Sequence, residues 1–184
     1  MSYDIYCYKS KLGRPNLDEA QAIMELEEEE SSSDSATKLK IAKALIDHNP
    51  NFQSFEFDYE EISKFQGLRI DEGKEAFDHI ELNTPDGELA TQITIFGDTV
   101  SITVPYWYSG DDANEVFNNI NEYAKVIQQT VGYFVYDPQT DKVVDPLKEN
   151  IFNLEVYQSM TNQVGKMTSE QIKDSNKKPW WKFW

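Results

Sequence analysis

Along the chain, apolar positions recur at two spacings, and each spacing marks a different kind of element. Residues 3–9 begin with the alternation Tyr3, Ile5, Cys7, while Tyr6 and Tyr8 occupy the opposite face. Bulk on both faces predicts a strand covered from both sides. After the Gly13-Arg14-Pro15 turn, Asn16 is placed to cap a helix, with Glu19 three residues on to complete a box-like cap. Leu17, Ala20, Ile23 and Met24 supply the apolar stripe of that helix. It runs into Glu27-Glu28-Glu29-Glu30, whose mutual repulsion opposes a helix C-terminus, so residues 27–34 read as a mobile, solvated loop. A second helix is expected from about Ser35, with Leu39, Ala42, Leu45 and Ile46 inward, ending at Asn49-Pro50.

Residues 52–75 support two readings. Phe55 and Phe57 alternate as in a strand, whereas Ile62 and Phe65 are spaced as in a helix. The stretch 78–105 is clearer. His79 to Asn83 form a strand that stops at Thr84-Pro85-Asp86-Gly87, and Thr91 to Val104 is interrupted only by Gly97-Asp98, a two-residue hairpin turn. Pairing Phe96 with Thr99 sets Ile95 against Val100 and Ile93 against Ile102, and puts Thr94 against Ser101 on the other face. Beyond Pro105 and Tyr106-Trp107-Tyr108, a helix capped by Asp111 or Asp112 carries Val116, Phe117, Ile120, Tyr123, Ala124, Ile127 and Val131 on one stripe, with Gly132 at its end. Tyr133 to Tyr136 make a short strand that turns at Asp137-Pro138-Gln139-Thr140 toward Lys142-Val143-Val144. Asp145-Pro146 then begins a last helix, with Leu147, Ile151 and Leu154 inward.

This order predicts an α+β fold: an antiparallel sheet with helices packed on one face, ferredoxin-like sandwiching being the favoured arrangement. Residues 1–165 read as a single acidic domain and 166–184 as a basic, aromatic C-terminal tail.

Charge narrows the partners. Thirty-three acidic side chains against 17 basic give a net charge of −16 over 184 residues. A field of that sign repels nucleic acid and anionic membranes and attracts basic proteins, and the same surface also reads simply as a source of solubility. Cys7 is the only cysteine, which excludes an intrachain disulfide and fits the reducing cytoplasm. No apolar run suits a signal peptide or a membrane span.

Catalytic chemistry finds little support. His48 and His79 lack a second ligand at metal-binding spacing, so no metal and no cofactor are expected. Cys7 sits in an acidic, strand-like context that disfavours a thiolate and reads as a core residue. The pairs among Asp58, Glu60 and Glu61, or Asp71 and Glu72, read as solvated surface.

Aromatic segments are better candidates for partner binding. Tyr106, Trp107 and Tyr108 lie between a strand and a helix cap, where they either close the core or face a partner. Trp180, Trp181, Phe183 and Trp184 follow Lys177, Lys178 and Pro179 in the tail, with Lys182 among them. The tail has three readings: folding back on the acidic domain, anchoring a partner protein, or shallow insertion at a membrane interface.

Two stretches carry a resemblance. Met1-Ser2-Tyr3-Asp4-Ile5-Tyr6, and the helix leading into Gly132-Tyr133-Phe134-Val135-Tyr136-Asp137-Pro138-Gln139, are similar to segments of small uncharacterised bacterial proteins. Some of these resemble immunity proteins, which neutralise toxins exchanged between competing cells. The two stretches cover under a third of the chain, and the resemblance assigns no functional residue. The first expectation, from the acidic and aromatic surface, is a cytoplasmic, non-catalytic protein-binding module, immunity-like, that acts by occlusion. An enzyme of unrecognised class is the second expectation, and a peripheral protein tethered by the Trp/Lys tail the third.

Overall fold

The computed structural model of the chain describes residues 2–25, 35–150, 154–159 and 161, without the side chains of 75 and 76. Seven strands form one sheet in the order β2-β3-β4-β5-β1-β6-β7, where β1 is Ser2–Tyr8, β2 Gln53–Ser54, β3 Ile80–Asn83, β4 Gln92–Ile95, β5 Thr99–Pro105, β6 Phe134–Asp137 and β7 Lys142–Val144. Every ladder is antiparallel. The fold is α+β, as expected. A ferredoxin-like sandwich is not confirmed, because its split βαβ units place parallel neighbours in the sheet and none occurs among the described strands.

The hairpin follows local turn chemistry. Gly97 takes φ 104°, a conformation cheap only for glycine, and Phe96 N donates to Thr99 O at 2.9 Å. The ladder pairs Ile95 with Val100, Thr94 with Ser101 and Ile93 with Ile102, the expected register.

β1 lies inside the sheet, between β5 and β6. Tyr3, Ile5 and Cys7 point into the main core with Leu82, Ile93, Ile95, Val100, Ile102, Val104 and Val135. Above them lie α2 (Ser35–His48) and α5 (Gly110–Val131), contributing Ile41, Ala42 and Leu45, and Val116, Phe117, Ile120, Ala124 and Ile127. Tyr8, Phe134 and Tyr136 face the opposite side and are covered by Ala20, Leu17, Ile23 and Met24 of α1 (Leu17–Glu25). The expectation of helices on one face is therefore corrected: α1 packs on the other. The bulky alternation of β1 is the reason, since both its faces carry apolar surface that water would otherwise meet.

Several local expectations shift. Asn16 does cap α1, its Oδ1 accepting from Glu19 N at 2.8 Å. Glu19 reaches back to Lys11 N and Ser10 Oγ instead of closing the box. On α2 the inward stripe is rotated: Leu39 is 64% exposed, and Lys38 joins Ile41, Ala42 and Leu45 among the buried residues. Lys38 Nζ donates to Asp78 Oδ2 at 2.7 Å and to the Asp78 carbonyl, so its amine is paired where the chain begins β3. Ser109, not Asp111 or Asp112, is the N-cap of α5, and Gly132 closes it at φ 78°. The expected helix at Asp145-Pro146 is a turn that leaves Leu147 exposed. Helix reappears at 154–159. Ile151, the expected loop 27–34 and the tail lie outside the described residues.

The ambiguous stretch resolves into β2 and a helical hairpin, α3 (Tyr59–Gln66) and α4 (Ile70–Ala76). Asp58 caps α3 by accepting from Glu60 N and Glu61 N at 3.1 and 3.0 Å. Gly67 at φ 71° ends it. Phe57 packs against Phe55, Phe77 and His79, with ring centroids 5.1, 5.7 and 4.8 Å away.

A buried carboxylate ties β1 to the turn between β6 and β7. Asp137 is fully buried, and its Oδ2 accepts from Tyr3 Oη at 2.6 Å and Thr140 Oγ1 at 3.0 Å, while Oδ1 accepts from Gln139 N at 2.9 Å. The charge is tolerable because three donors meet it.

Candidate functional site

Tyr106-Trp107-Tyr108 leaves the end of β5 and enters α5 through Ser109, and the three rings do not share one role. Tyr106 is half-buried, stacked on Tyr157 at 5.5 Å and edge-on to Tyr3 at 6.0 Å. Burial first, and then the nearby Asp4 and Asp137 charges, push its phenol up. Tyr108 turns inward as well: its Oη accepts from Ala90 N, and its own N–H donates to Tyr157 Oη at 3.2 Å. Tyr157 completes the clamp by donating to Pro105 O at 2.6 Å.

With its two neighbours pinned inward, Trp107 is turned out and is 70% exposed. Its ring meets Tyr108 edge-on at 6.1 Å. Asp111, Asp112 and Glu115 follow on the first turns of α5, all exposed. Carboxylates there complement the helix dipole, so they stabilise the helix and put negative charge four to eight residues after the exposed indole. Of the sequence candidates, then, Tyr106 and Tyr108 belong to the core edge and Trp107 to the surface. The three carboxylates, read from sequence only as capping groups or not singled out, complete the patch. Their position within eight residues of Trp107, at a helix start, was the signal available. Trp180, Trp181, Phe183 and Trp184 lie outside the described residues.

The other candidates occupy different surroundings. Cys7 is fully buried, and desolvation pushes its thiol up to about 12. The folded value therefore stands above that of the unfolded chain. Its contribution to stability is complete below the ordinary thiol range near 8.5 and is lost as pH rises toward about 12. A water-soluble disulfide reagent at pH 8 is expected to leave Cys7 untouched in the native protein and to modify one thiol per chain in guanidinium; rapid native labelling would contradict the burial. His48 lies edge-on to Tyr123 at 6.0 Å, and His79 sits between Phe57 and Phe96 at 4.8 and 5.2 Å. Asp71 and Glu72 pair with Arg69 at 2.5 and 3.3 Å on the surface.

Half of the sheet face that α1 leaves uncovered is polar. Thr103 Oγ1 and Ser2 Oγ donate to the two oxygens of Asp4 at 2.7 and 2.9 Å, and Asn83 Nδ2 donates to Glu81 at 2.8 Å. A shallow recess of about 270 Å³ lies over Ser2, Asn83, Thr91, Gln92 and Thr103. Among the described residues, no group of three or more histidine, cysteine or acidic side chains is placed to hold a metal. No described helix is long and apolar enough to cross a membrane.

The chain is an antiparallel α+β domain with an exposed tryptophan that exposed carboxylates follow in sequence at the start of α5. No protein-family model, curated protein or solved structure matches the chain.

Proposed function

We propose that the chain is a non-catalytic, cytoplasmic protein-binding module that occludes a basic partner in the manner of an immunity protein. The observation that carries the reading is Trp107: an indole 70% exposed, held outward by two anchored tyrosines and followed by Asp111, Asp112 and Glu115. An aromatic anchor inside a charged rim is the arrangement that concentrates binding energy at protein interfaces. The net charge of −16 adds long-range attraction for a cationic surface and repulsion of nucleic acid. Occlusion needs no reacting group on this chain, only a face held in place by the domain behind it.

Affinity capture from cells of the source organism tests the reading. The wild-type chain at low salt is expected to retain a basic protein that elutes as salt rises and that a Trp107→Ala bait fails to retain. Equal retention by both baits, or no retained protein, would overturn it.

A further inference from the structure

The α3–α4 hairpin carries a surface that neither the fold nor the Trp107 patch uses. The hairpin is held together from inside: Gly73 backs onto Ser63, and a Cβ at Gly73 would lie 2.6 Å from Ser63 Oγ. Its outer side is apolar where α3 ends and α4 begins, with Phe65 90% exposed, Ile70 47% and Leu68 36%. Three large apolar side chains within six residues, turned to water, form the kind of patch that a binding segment ordinarily covers. Exposed carboxylates precede and follow them in sequence. Glu61 lies one turn before Phe65 on the same helix face, next to Glu60. Two of the nearby cations are already engaged, Arg69 by Asp71 and Glu72 and Lys74 over the Tyr59 ring at 5.8 Å.

Between residues 56 and 74 there are six acidic side chains (Glu56, Asp58, Glu60, Glu61, Asp71, Glu72) and three basic ones (Lys64, Arg69, Lys74), a net charge of −3. The segment 177–184 is the complement. It carries three lysines, no acid and four aromatic rings, a net charge of +3 from its side chains. Eighteen residues separate Thr161, the last described position, from Trp180. Fully extended they reach about 60 Å, beyond the diameter of a domain whose radius of gyration is about 16 Å.

We propose that residues 177–184 dock on the outer face of the α3–α4 hairpin of the same chain, with tryptophan rings over Phe65, Leu68 and Ile70 and lysines beside Glu60 and Glu61. Each ring brings roughly 150–250 Å² of surface. Closure within one chain replaces a bimolecular encounter by an effective concentration in the millimolar range. The docked segment masks the most exposed apolar ring among the described residues, and a competitor for either face would release the other.

Tryptophan fluorescence reads this directly, because Trp107, Trp180, Trp181 and Trp184 are the only tryptophans. In a Trp107→Phe chain all tryptophan emission comes from the segment. It is expected to be blue-shifted relative to a synthetic 177–184 peptide, protected from acrylamide, and independent of protein concentration. Phe65→Asp with Ile70→Asp should shift the emission to that of the peptide. Aspartate suits the first position of α4, and unchanged circular dichroism would show that the fold persists. Glu60→Lys with Glu61→Lys should act in the same direction, more weakly at high salt. Emission unmoved by Phe65→Asp/Ile70→Asp overturns the proposal. So does a blue shift that grows with protein concentration, which would mean a second copy, or one that appears only with phosphatidylglycerol vesicles, which would mean a membrane.

Discussion

Tyr157→Ala is expected to lower stability by about 4 kcal/mol, the largest effect of any single truncation near the Trp107 patch. Tyr157 is fully buried, and its ring meets Phe117 at 4.9 Å, Tyr106 at 5.5 Å and Tyr3 at 5.8 Å. Truncation leaves a ring-sized cavity among three aromatic neighbours, none of which can move in without losing its own contacts. It also removes the hydroxyl that donates to Pro105 O and accepts from Tyr108 N. For a chain of this length the loss corresponds to a fall in Tm of roughly 10 °C. Tyr157→Phe keeps the ring and is expected to cost only about 1 kcal/mol. Guanidinium unfolding of the two variants separates ring from hydroxyl. A cost below about 1 kcal/mol for Tyr157→Ala would mean that residues 154–159 do not close the core.

Trp107→Ala is expected to do the reverse, leaving stability within about 0.5 kcal/mol of the wild type while weakening partner binding by thirtyfold or more. The first half follows from exposure: an indole 70% in water leaves little buried area to lose. The second follows from anchoring. Tyr106 and Tyr108 fix the backbone on either side, so the indole is presented with little conformational freedom left to lose on binding. Truncating a central aromatic anchor typically costs 2 kcal/mol or more, about thirtyfold in Kd, mostly through faster dissociation. A variant that unfolds early would assign Trp107 to the core instead. Unchanged affinity would remove the anchor on which the proposed reading rests and overturn it.

The residues legible from sequence were those whose partners are local. The Gly97-Asp98 turn dictates its own pairing, and Ile95, Ile93 and Thr94 meet their expected partners because a two-residue loop leaves no slack. Gly132 ended α5 for the same kind of reason. Leu39 was misplaced because several faces of α2 carry apolar residues, and the choice is made by α5 and by Lys38 reaching Asp78, contacts that no helical period contains. The position of α1 behind the sheet was implicit in the double-sided bulk of β1, although neighbouring elements alone do not say which helix covers which face. At the candidate site, the triplet was visible as composition. Its division into two anchors and one exposed ring depends on Tyr157, about 50 residues further along the chain. The α3–α4 surface was hidden because Phe65 looks apolar and periodic in sequence, like a core residue, and only packing shows that it faces water.

The central claim is that an acidic face acts by contact with a cationic protein. The most direct measurement of it is the association rate of the captured partner as a function of ionic strength. Electrostatic steering predicts a fall of about tenfold or more in the association rate between low and high salt, with the dissociation rate much less affected. An association rate that stays flat across that range would contradict the account.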